Sequence, residues 1–537
     1  MGHTREAFSL AIRQIKRGRE EGRMKLQSKT AHKIAAILLA AAMLGACSGG
    51  TSSGGDASSD GADGGASGKK DIPKIYIYQN TGALNHKPEG SLPAKLEEMK
   101  QMYIDVLGIE PIAIVPPQGS AEEKLNLMLG SSDEIDTFQG NWNDYAAEGA
   151  IIPLNDLLDK YGQDIKKAWS EEAWKYMTDK DGNIWGIPRG TPAVHYPIWV
   201  RSDWMRKLNL EMPKTLEEFE AVLKAFKERD PDGNGQDDTI PMMTDLNGIK
   251  NAFLGGFTEH GNSNWFDPAD QKLKPVELAP GFRDFVATMA DWYQKGYIYK
   301  EAFAKFDPLE LLKTNRVGTS SMWYSRITLL FPQIKHNLPE GADYEIIRGL
   351  EGPKGKLMTA SPGSTAGMLI TKKAKHPDAV MKFINYQYQD IPVNSLTAAF
   401  GDNWRFVGDS RFEIELISPE IEYAGEYMVS LGTATETKYA FRDPIKKMHA
   451  DYLNKELENL SVAKMPVDAT VIYDKQKLQE NIPTLSDIDR LRTEELVKFV
   501  TGARPLEEFD QFIEQLYKAG LDDWIEEYTR QYLEQTQ

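Results

Sequence analysis

Asp230-Pro231-Asp232-Gly233-Asn234-Gly235-Gln236-Asp237-Asp238 carries the sharpest chemical pattern in the chain. Oxygen side chains fall at relative positions 1, 3, 5 and 9 (Asp230, Asp232, Asn234, Asp238). Gln236 at position 7 offers its carbonyl, and Gly235 stands at position 6, where a chain curling round a hard cation needs glycine. This is the front of an EF-hand loop, and it points to Ca2+ in a structural role, since no general base is evident beside it. The pattern is incomplete: position 12 is Pro241, so the closing bidentate glutamate is missing, and a metal-free polar turn is the other reading. A second pattern is aromatic. Trp142, Trp199, Trp265, Phe266, Trp323, Tyr324 and Trp404 lie in polar or turn-like stretches near Asn141, Arg201, Asn264, Asp267, Arg326, Asp402, Asn403 and Arg405. Aromatic planes cover the C–H faces of a polyol, while amides, carboxylates and guanidinium groups pair with its hydroxyl edges. Each of these tryptophans also has a core alternative; Trp204, Trp292 and Trp524, on amphipathic helical faces, read as core. Signatures of catalysis are missing from the sequence: there is no His-Glu-x-x-His and no phosphate loop, and the Gly-x-Ser-x-Gly spacing occurs only at Gly50 to Gly54, in a Gly/Ser run with no strand before it or helix after it to make an elbow.

The elements that must position these residues alternate between strand and helix. Lys74 to Asn80 opens as an alternating strand, and Pro93 to Leu107 follows as a helix with Leu96, Met99, Met102, Tyr103 and Val106 at helical spacing. Ile112 to Val115 reads as a strand, Ser120 as the cap of a helix through Leu125 and Leu129, Asp136 to Gln139 as a strand, and Tyr145 to Ala150 as a helix. Such alternation predicts α/β architecture with parallel β-α-β units. Ligands in those sheets sit beyond the carboxyl ends of the strands, which nominates Gln79, Asn80, Gln139, Asn141 and Trp142.

Length and charge bound the rest. A chain of 537 residues can bury two or three sizeable cores. Its formal net charge is -17, and the first 46 residues hold nine Lys/Arg against three Asp/Glu, so the remainder is more acidic still. Such a surface repels phosphate backbones and anionic lipids, which argues against a nucleic-acid partner and against membrane contact other than through a covalent anchor. The single cysteine excludes disulfide frameworks and Cys-rich metal sites. Lys25, Lys29 and Lys33 precede the apolar run Ile34 to Leu44, which has the length of a signal-peptide core and is too short to span a bilayer. Leu44-Gly45-Ala46-Cys47 then resembles the bacterial lipobox, in which the cysteine is acylated after cleavage; residues 1–46 read as a lipoprotein signal peptide, and 47–70 as the lipidated Cys47 and a Gly/Ser/Asp-rich flexible tether.

Beyond the tether, a succession of segments carries a family resemblance: Phe138 to Gly149 with Pro153-Leu154, Trp185 to Arg189, Asp203-Trp204, Pro213 to Phe219, Leu312 to Gly318 with Trp323, Lys375 to Asn385, and Lys498 to Gly502 with Pro505-Leu506. In this order the chain resembles extracellular solute-binding protein family 1, and the closing Thr501-Gly502 stretch resembles the large lipoprotein branch of Gram-positive bacteria. The resemblance implies a two-lobed, hinge-linked periplasmic-binding-protein-like fold of type II, with solute in the interlobe cleft and an ABC permease as partner. Residues 71–190 plus about 355–440 would form one lobe, and 191–354 plus about 441–537 the other. The first crossing is expected near Arg189 to Pro197, a proline-marked stretch that cannot be one helix, and the return near Tyr344 to Pro362. Family calcium loops often carry Glu at position 10, where this chain has Thr239.

By the same resemblance Trp323, at a strand-to-cleft turn, leads the candidate sugar platforms, followed by Trp142 and Trp265. Tyr324, Trp404 and His195 complete the nominated cleft groups; His195, near the crossing, has a hydrogen-bonded structural role as its alternative. Arg189 and Arg326 are suited to clamping a carboxylate or sulfate in bidentate fashion, which would make the solute acidic, or to interlobe salt bridges. The expected function is a lipid-anchored receptor for an oligosaccharide, neutral or acidic, with no enzymatic activity. The competing expectation is a secreted carbohydrate-active enzyme, a glycosidase or lyase.

Overall fold

Ile75 and Ile77 alternate with more exposed neighbours in Lys74–Tyr78 and are fully buried, as expected of a strand with one face on a core. In the computed structural model, which describes residues 72–79, 93–116, 120–388, 404–408, 411–414, 439–441 and 444–537, this strand belongs to a five-stranded sheet. Residues 1–71, with Cys47 and the stretches read as signal peptide and tether, and Asn80 lie outside the described residues. The sheet order is Glu110–Ile114, Lys74–Tyr78, Thr137–Asn141, Ala366–Ile370, Ile187–Pro188. The first three strands are parallel, with Ile75 opposite Pro111 and Ile77 opposite Thr137. Ala366–Ile370 enters from far along the chain and runs antiparallel to both neighbours.

Between those visits the chain builds a second sheet, ordered Tyr344–Ile346, Trp199–Arg201, Val317–Ser320, Ile240–Met243. Ile240–Met243 and Val317–Ser320 are parallel, while Trp199–Arg201 is antiparallel to both of its neighbours. Each sheet has its own core. Trp169, Leu154, Phe383 and Ile384 bury against the first sheet, and Trp204, Phe219, Phe253 and Trp292 against the second. The C-terminal helices Leu485–Thr501, Phe509–Lys518 and Leu521–Thr536 add Phe499, Leu516 and Trp524 to that second cluster. Each such side chain contributes about 1.5–3 kcal/mol by leaving water. The result is a two-lobed α/β molecule.

Several expectations shift by a few residues, each for a local reason. The helix Pro93–Leu107 stands as read. The second strand is Glu110–Ile114 rather than Ile112 to Val115, because pairing with Lys74–Tyr78 sets its register. The helix expected at Tyr145 to Ala150 is instead Trp142–Ala146; it stops early because Gly149 takes a left-handed conformation at φ 65°. Ser120 precedes the helix Ala121–Gly130, but its hydroxyl makes no capping bond; its carbonyl accepts the Lys124 N–H instead. Trp204, Trp292 and Trp524 are at most 2% exposed, the core role read from their helical faces. Trp199 joins them as a buried strand residue.

Candidate functional site

Parallel pairing of Ile240–Met243 with Val317–Ser320 puts Met243 opposite Ser320, so both strands end together. The next residue on each, Thr244 and Ser321, join hydroxyls at 2.7 Å. Beyond this point the chains diverge. Asp245 caps the helix Leu246–Phe253 by accepting the Gly248 N–H at 2.6 Å. Gly248 admits no side chain, because a Cβ there would lie 2.6 Å from the Ser321 carbonyl, and this holds the helix start against the opposite turn. On that turn Met322 is buried while Trp323 remains 37% exposed.

The segment linking the two sheets passes beside this edge. Ala193 exchanges backbone bonds with Ser361, and the His195 carbonyl accepts the Tyr324 N–H at 2.9 Å. The His195 ring lies against Trp323 at 4.4 Å and 14°, while Tyr196 meets Trp323 edge-on at 5.6 Å and 88°. Tyr324 stacks in turn on Tyr452 at 4.9 Å, from the helix Pro444–Lys455, and the Tyr452 hydroxyl donates to the Val194 carbonyl. Trp323 is thereby fixed by a ring on one side and an edge on another, with part of its surface open to solvent.

Burial drives the His195 pKa down from 6.5 to about 4, so the ring is neutral at physiological pH. As pH falls from about 6.5 toward 4, the unfolded chain binds a proton that the native ring refuses, and stability declines across that window. Replacing His195 by Gln is expected to shrink the stability difference between about pH 7 and about pH 5 by on the order of 1 to 2 kcal/mol, read from urea midpoints.

On the first sheet, Gln79, Gln139, Asn141 and Trp142 do lie at or near the carboxyl ends of the parallel strands. Gln79 is half-buried and Gln139 buried. The Asn141 amide donates to Asp144 at 3.4 Å and accepts the Thr365 hydroxyl at 3.2 Å. Trp142 is buried; its indole N–H donates to the Tyr176 carbonyl at 2.7 Å and its ring runs parallel to Trp185. Trp265 sits on a separate two-stranded ribbon, Trp265–Asp267 with Lys272–Lys274, with the Lys274 ammonium 5.5 Å from its ring. Trp404 begins the strand Trp404–Gly408 of a three-stranded sheet. Arg189 and Arg326 are exposed, and neither forms an ion pair among the described residues.

Sequence reasoning missed Asp245, Tyr196, Tyr452 and His449, whose ring stacks on Tyr324 at 5.9 Å. The signal for Asp245 was local: an Asp before a helix, shortly after a strand. It also missed the segment before Lys475–Asn481. Asp468 there accepts Asn264 at 2.7 Å and the Tyr473 hydroxyl at 2.9 Å, Lys475 pairs with Asp144 at 2.8 Å, and Ile472 packs on the first sheet's cluster.

The acidic loop is wound as its spacing suggests. The helix Leu216–Glu228 is capped by Thr215 and gives way to Asp230 at φ 44°. The Asp230 carboxylate accepts the N–H groups of Gly233, Asn234 and Gly235, and the Asn234 amide bridges Asp232 and Asp238 at 2.9 Å each. A hydrogen bond from Asp232 and the loop amides hold the Asp230 carboxyl low, whereas burial and Asp230 push that of Asp232 up. Thr239 is buried and its hydroxyl donates to the Phe226 carbonyl, so position 10 pins the loop to the preceding helix. Among the described residues no three His, Cys, Asp or Glu side chains gather tightly enough to hold a metal by themselves; the loop depends on Asn and carbonyl oxygens as well.

A cavity of about 900 Å³ opens at the other end of the first sheet, lined by Tyr76, Glu134, Asp136, Lys375 and His376. It lies at the amino ends of the parallel strands, away from the aromatic edge. Among the described residues no helix is long and apolar enough to cross a membrane.

Comparison with known proteins fits this geometry. The chain is 29% identical to the fructooligosaccharide ABC transporter substrate-binding protein FusA of Streptococcus pneumoniae, over 57% of this chain and 60% of that relative. It is 24% identical to lipoprotein LipO of Bacillus subtilis over 87% of this chain and 93% of that one. A solved S. pneumoniae FusA EF-hand mutant in complex with fructo-nystose shares the fold, with a TM-score of 0.60 and 21% identity over 86% of this chain and 99% of that structure. Because residues 109–390, more than half of the sequence, match the family described as bacterial extracellular solute-binding protein, the chain belongs to that family.

Proposed function

We propose that this protein is the lipid-anchored receptor of an ABC importer, that it captures an oligosaccharide between its lobes, and that it hands the sugar unaltered to the permease. The observation that carries this reading is Trp323, partly exposed and held by His195 and Tyr196 beside the hydroxyls and carboxylate at the carboxyl ends of two parallel strands. A fixed aromatic face beside hydrogen-bonding side chains suits the alternation of C–H faces and hydroxyls in a sugar. The fructooligosaccharide-binding relative supports the solute class, and the lipoprotein relative supports acylation of Cys47 at the outer face of the membrane. Solute bound to one lobe adds contacts that the closed arrangement alone satisfies, so the equilibrium shifts toward closure by that difference in affinity.

The test is a thermal-shift screen of the mature protein against oligosaccharides, followed by recovery and chromatography of the bound sugar. Saturable one-to-one binding with the sugar returned intact is expected. Chain-shortened sugar would make the protein an enzyme and overturn the reading.

Calcium belongs to the same reading. Asp230, Asp232, Asn234 and Asp238, with the Gln236 carbonyl, would hold it; their clustered negative charge is what a hard cation relieves, and the S. pneumoniae relative has an EF-hand. Bound, the ion supplies charge neutralisation and rigidity to the loop between helix Leu216–Glu228 and strand Ile240–Met243. With sites of this class binding at Kd of about 10⁻⁴ to 10⁻³ M, millimolar calcium is expected to raise the melting temperature by about 2–4 °C, and Asp232→Asn to abolish the rise. Identical melting with calcium and with chelator would remove the ion from the account.

A further inference from the structure

The clearest unassigned arrangement is the carboxylate and guanidinium flanking the exposed tryptophan. Asp245 and Trp323 leave adjacent parallel strands within three residues of the paired Met243 and Ser320, so they share one edge of the second sheet. Asp245 is half-buried and spends one oxygen, at 2.6 Å, on the Gly248 N–H. Arg326 begins one turn beyond Trp323 and is exposed. Burial pushes the Asp245 carboxyl up against the pull of Gly248 and of Arg326, and the Tyr196 hydroxyl, raised mainly by burial, feels both charges. The Arg326 N–H donates to the Trp323 carbonyl at 2.9 Å and Tyr196 lies edge-on to the Trp323 ring at 5.6 Å, so carboxylate, guanidinium and phenol belong to one sheet edge, yet Asp245 and Arg326 form no ion pair among the described residues. That gap has a chemical meaning: a hydroxyl can donate to the carboxylate and, with its neighbour, accept from the guanidinium.

Resting on the receptor reading above, we propose that the solute is a neutral oligosaccharide, two of whose neighbouring hydroxyls bridge Asp245 and Arg326 while a sugar face lies on Trp323. Arg326 is the cation that an acidic saccharide would seek on this edge. Asp245 already opposes its charge, and a uronate carboxylate there would face a second carboxylate in a partly desolvated place, an arrangement that costs affinity. Lys475, on the helix Lys475–Asn481 whose Leu478 packs into the second sheet's cluster, is neutralised by Asp144 beside the first sheet at 2.8 Å. Arg189, exposed on the segment leaving the first sheet, is the group an acidic solute would have to use instead.

The experiment titrates calorimetrically the mature protein and its Asp245→Asn and Arg326→Gln variants with kestose, maltotriose, other neutral oligosaccharides and trigalacturonate. Asparagine still caps the helix, so Asp245→Asn is expected to keep its melting temperature. The expected result is that the wild type binds a neutral sugar at least about tenfold more tightly than trigalacturonate. Asp245→Asn then weakens the neutral sugar about tenfold or more and moves the neutral-to-acidic ratio toward the acid by a similar factor, as for a lost hydrogen bond to a charged group. Arg326→Gln weakens the neutral sugar without restoring the ratio. A wild type that prefers trigalacturonate, or an Asp245→Asn variant with an unchanged ratio, overturns the proposal while leaving the receptor reading intact. Absence of binding by every saccharide overturns both.

Discussion

Trp323→Ala is expected to raise the Kd for the bound oligosaccharide roughly 30-fold, corresponding to about 2 kcal/mol, the scale of a buried aromatic anchor. The size of the effect follows from how the ring is held. His195 covers one face at 4.4 Å and Tyr196 presses its edge at 5.6 Å, so little rotamer freedom is lost when a sugar arrives. Because the ring is 37% exposed and lies at the end of a stack rather than inside a core, its loss should change the melting temperature by no more than about 2 °C. Calorimetric titration with the sugar identified by screening, alongside thermal melting, separates the two consequences. Unchanged affinity would move the binding surface away from the edge formed by Val317–Ser320 and its turn.

Arg504→Met is expected to produce the opposite profile, a large loss of stability with sugar affinity retained. Arg504 is 8% exposed, pairs with Glu495 at 2.6 Å, bonds Gln515 at 3.0 Å and Glu508 at 3.2 Å, and lies over the Phe499 ring at 5.1 Å. Removing one partner of a buried pair commonly costs 3–5 kcal/mol, because the remaining charge is left in a poorly solvating place. Here Lys498 still reaches Glu495 at 2.6 Å, so about 3 kcal/mol is expected. Replacing Glu495 by Leu at the same time should restore most of it, since a well-packed apolar pair is often as stable as the ionic one. Urea denaturation of the two single variants and the double variant gives the coupling directly; additive losses would show that the pair does not act as a unit. The pH dependence has a definite sign. Burial pushes the Glu495 carboxyl up, but Lys498 and Arg504 outweigh it and hold the group below its usual 4.5. The pair therefore contributes fully above that value and is lost as pH falls below it, where the unfolded chain is protonated first.

These two positions differ in how visible they were in the linear chain. Trp323 was marked by a strand-to-turn motif close to it in sequence, and its exposure is what that motif implied. Arg504 carried little signal, because only Glu508 is close to it along the chain, whereas Glu495 and Gln515 become its partners when the helices Leu485–Thr501 and Phe509–Lys518 pack together. Trp142 shows the converse. Its polar surroundings, Asn141 and Asn143, suggested a cleft, yet its indole N–H is taken by a carbonyl 34 residues away, and the ring is buried beside Trp185. Local composition reports which groups are near along the chain and is silent about which face of them the fold covers.

The alternation of apolar residues, the caps, the turn glycines and the ordered family segments determined from the sequence alone that this is a two-lobed α/β solute-binding protein with a coiled acidic loop, because those signals depend on neighbours a few residues apart. Tertiary structure decided everything that rests on distant pairing. The return of Ala366–Ile370 to the first sheet, the joining of Thr244 to Ser321, the stacking of His195 on Trp323 and of Tyr324 on Tyr452, and the placing of Asp245 and Trp323 at the end of one strand pair each bring together residues tens to hundreds of positions apart. Which of many chemically suitable side chains share an edge is set by strand register and helix packing, energies summed over whole lobes that no short stretch of sequence contains.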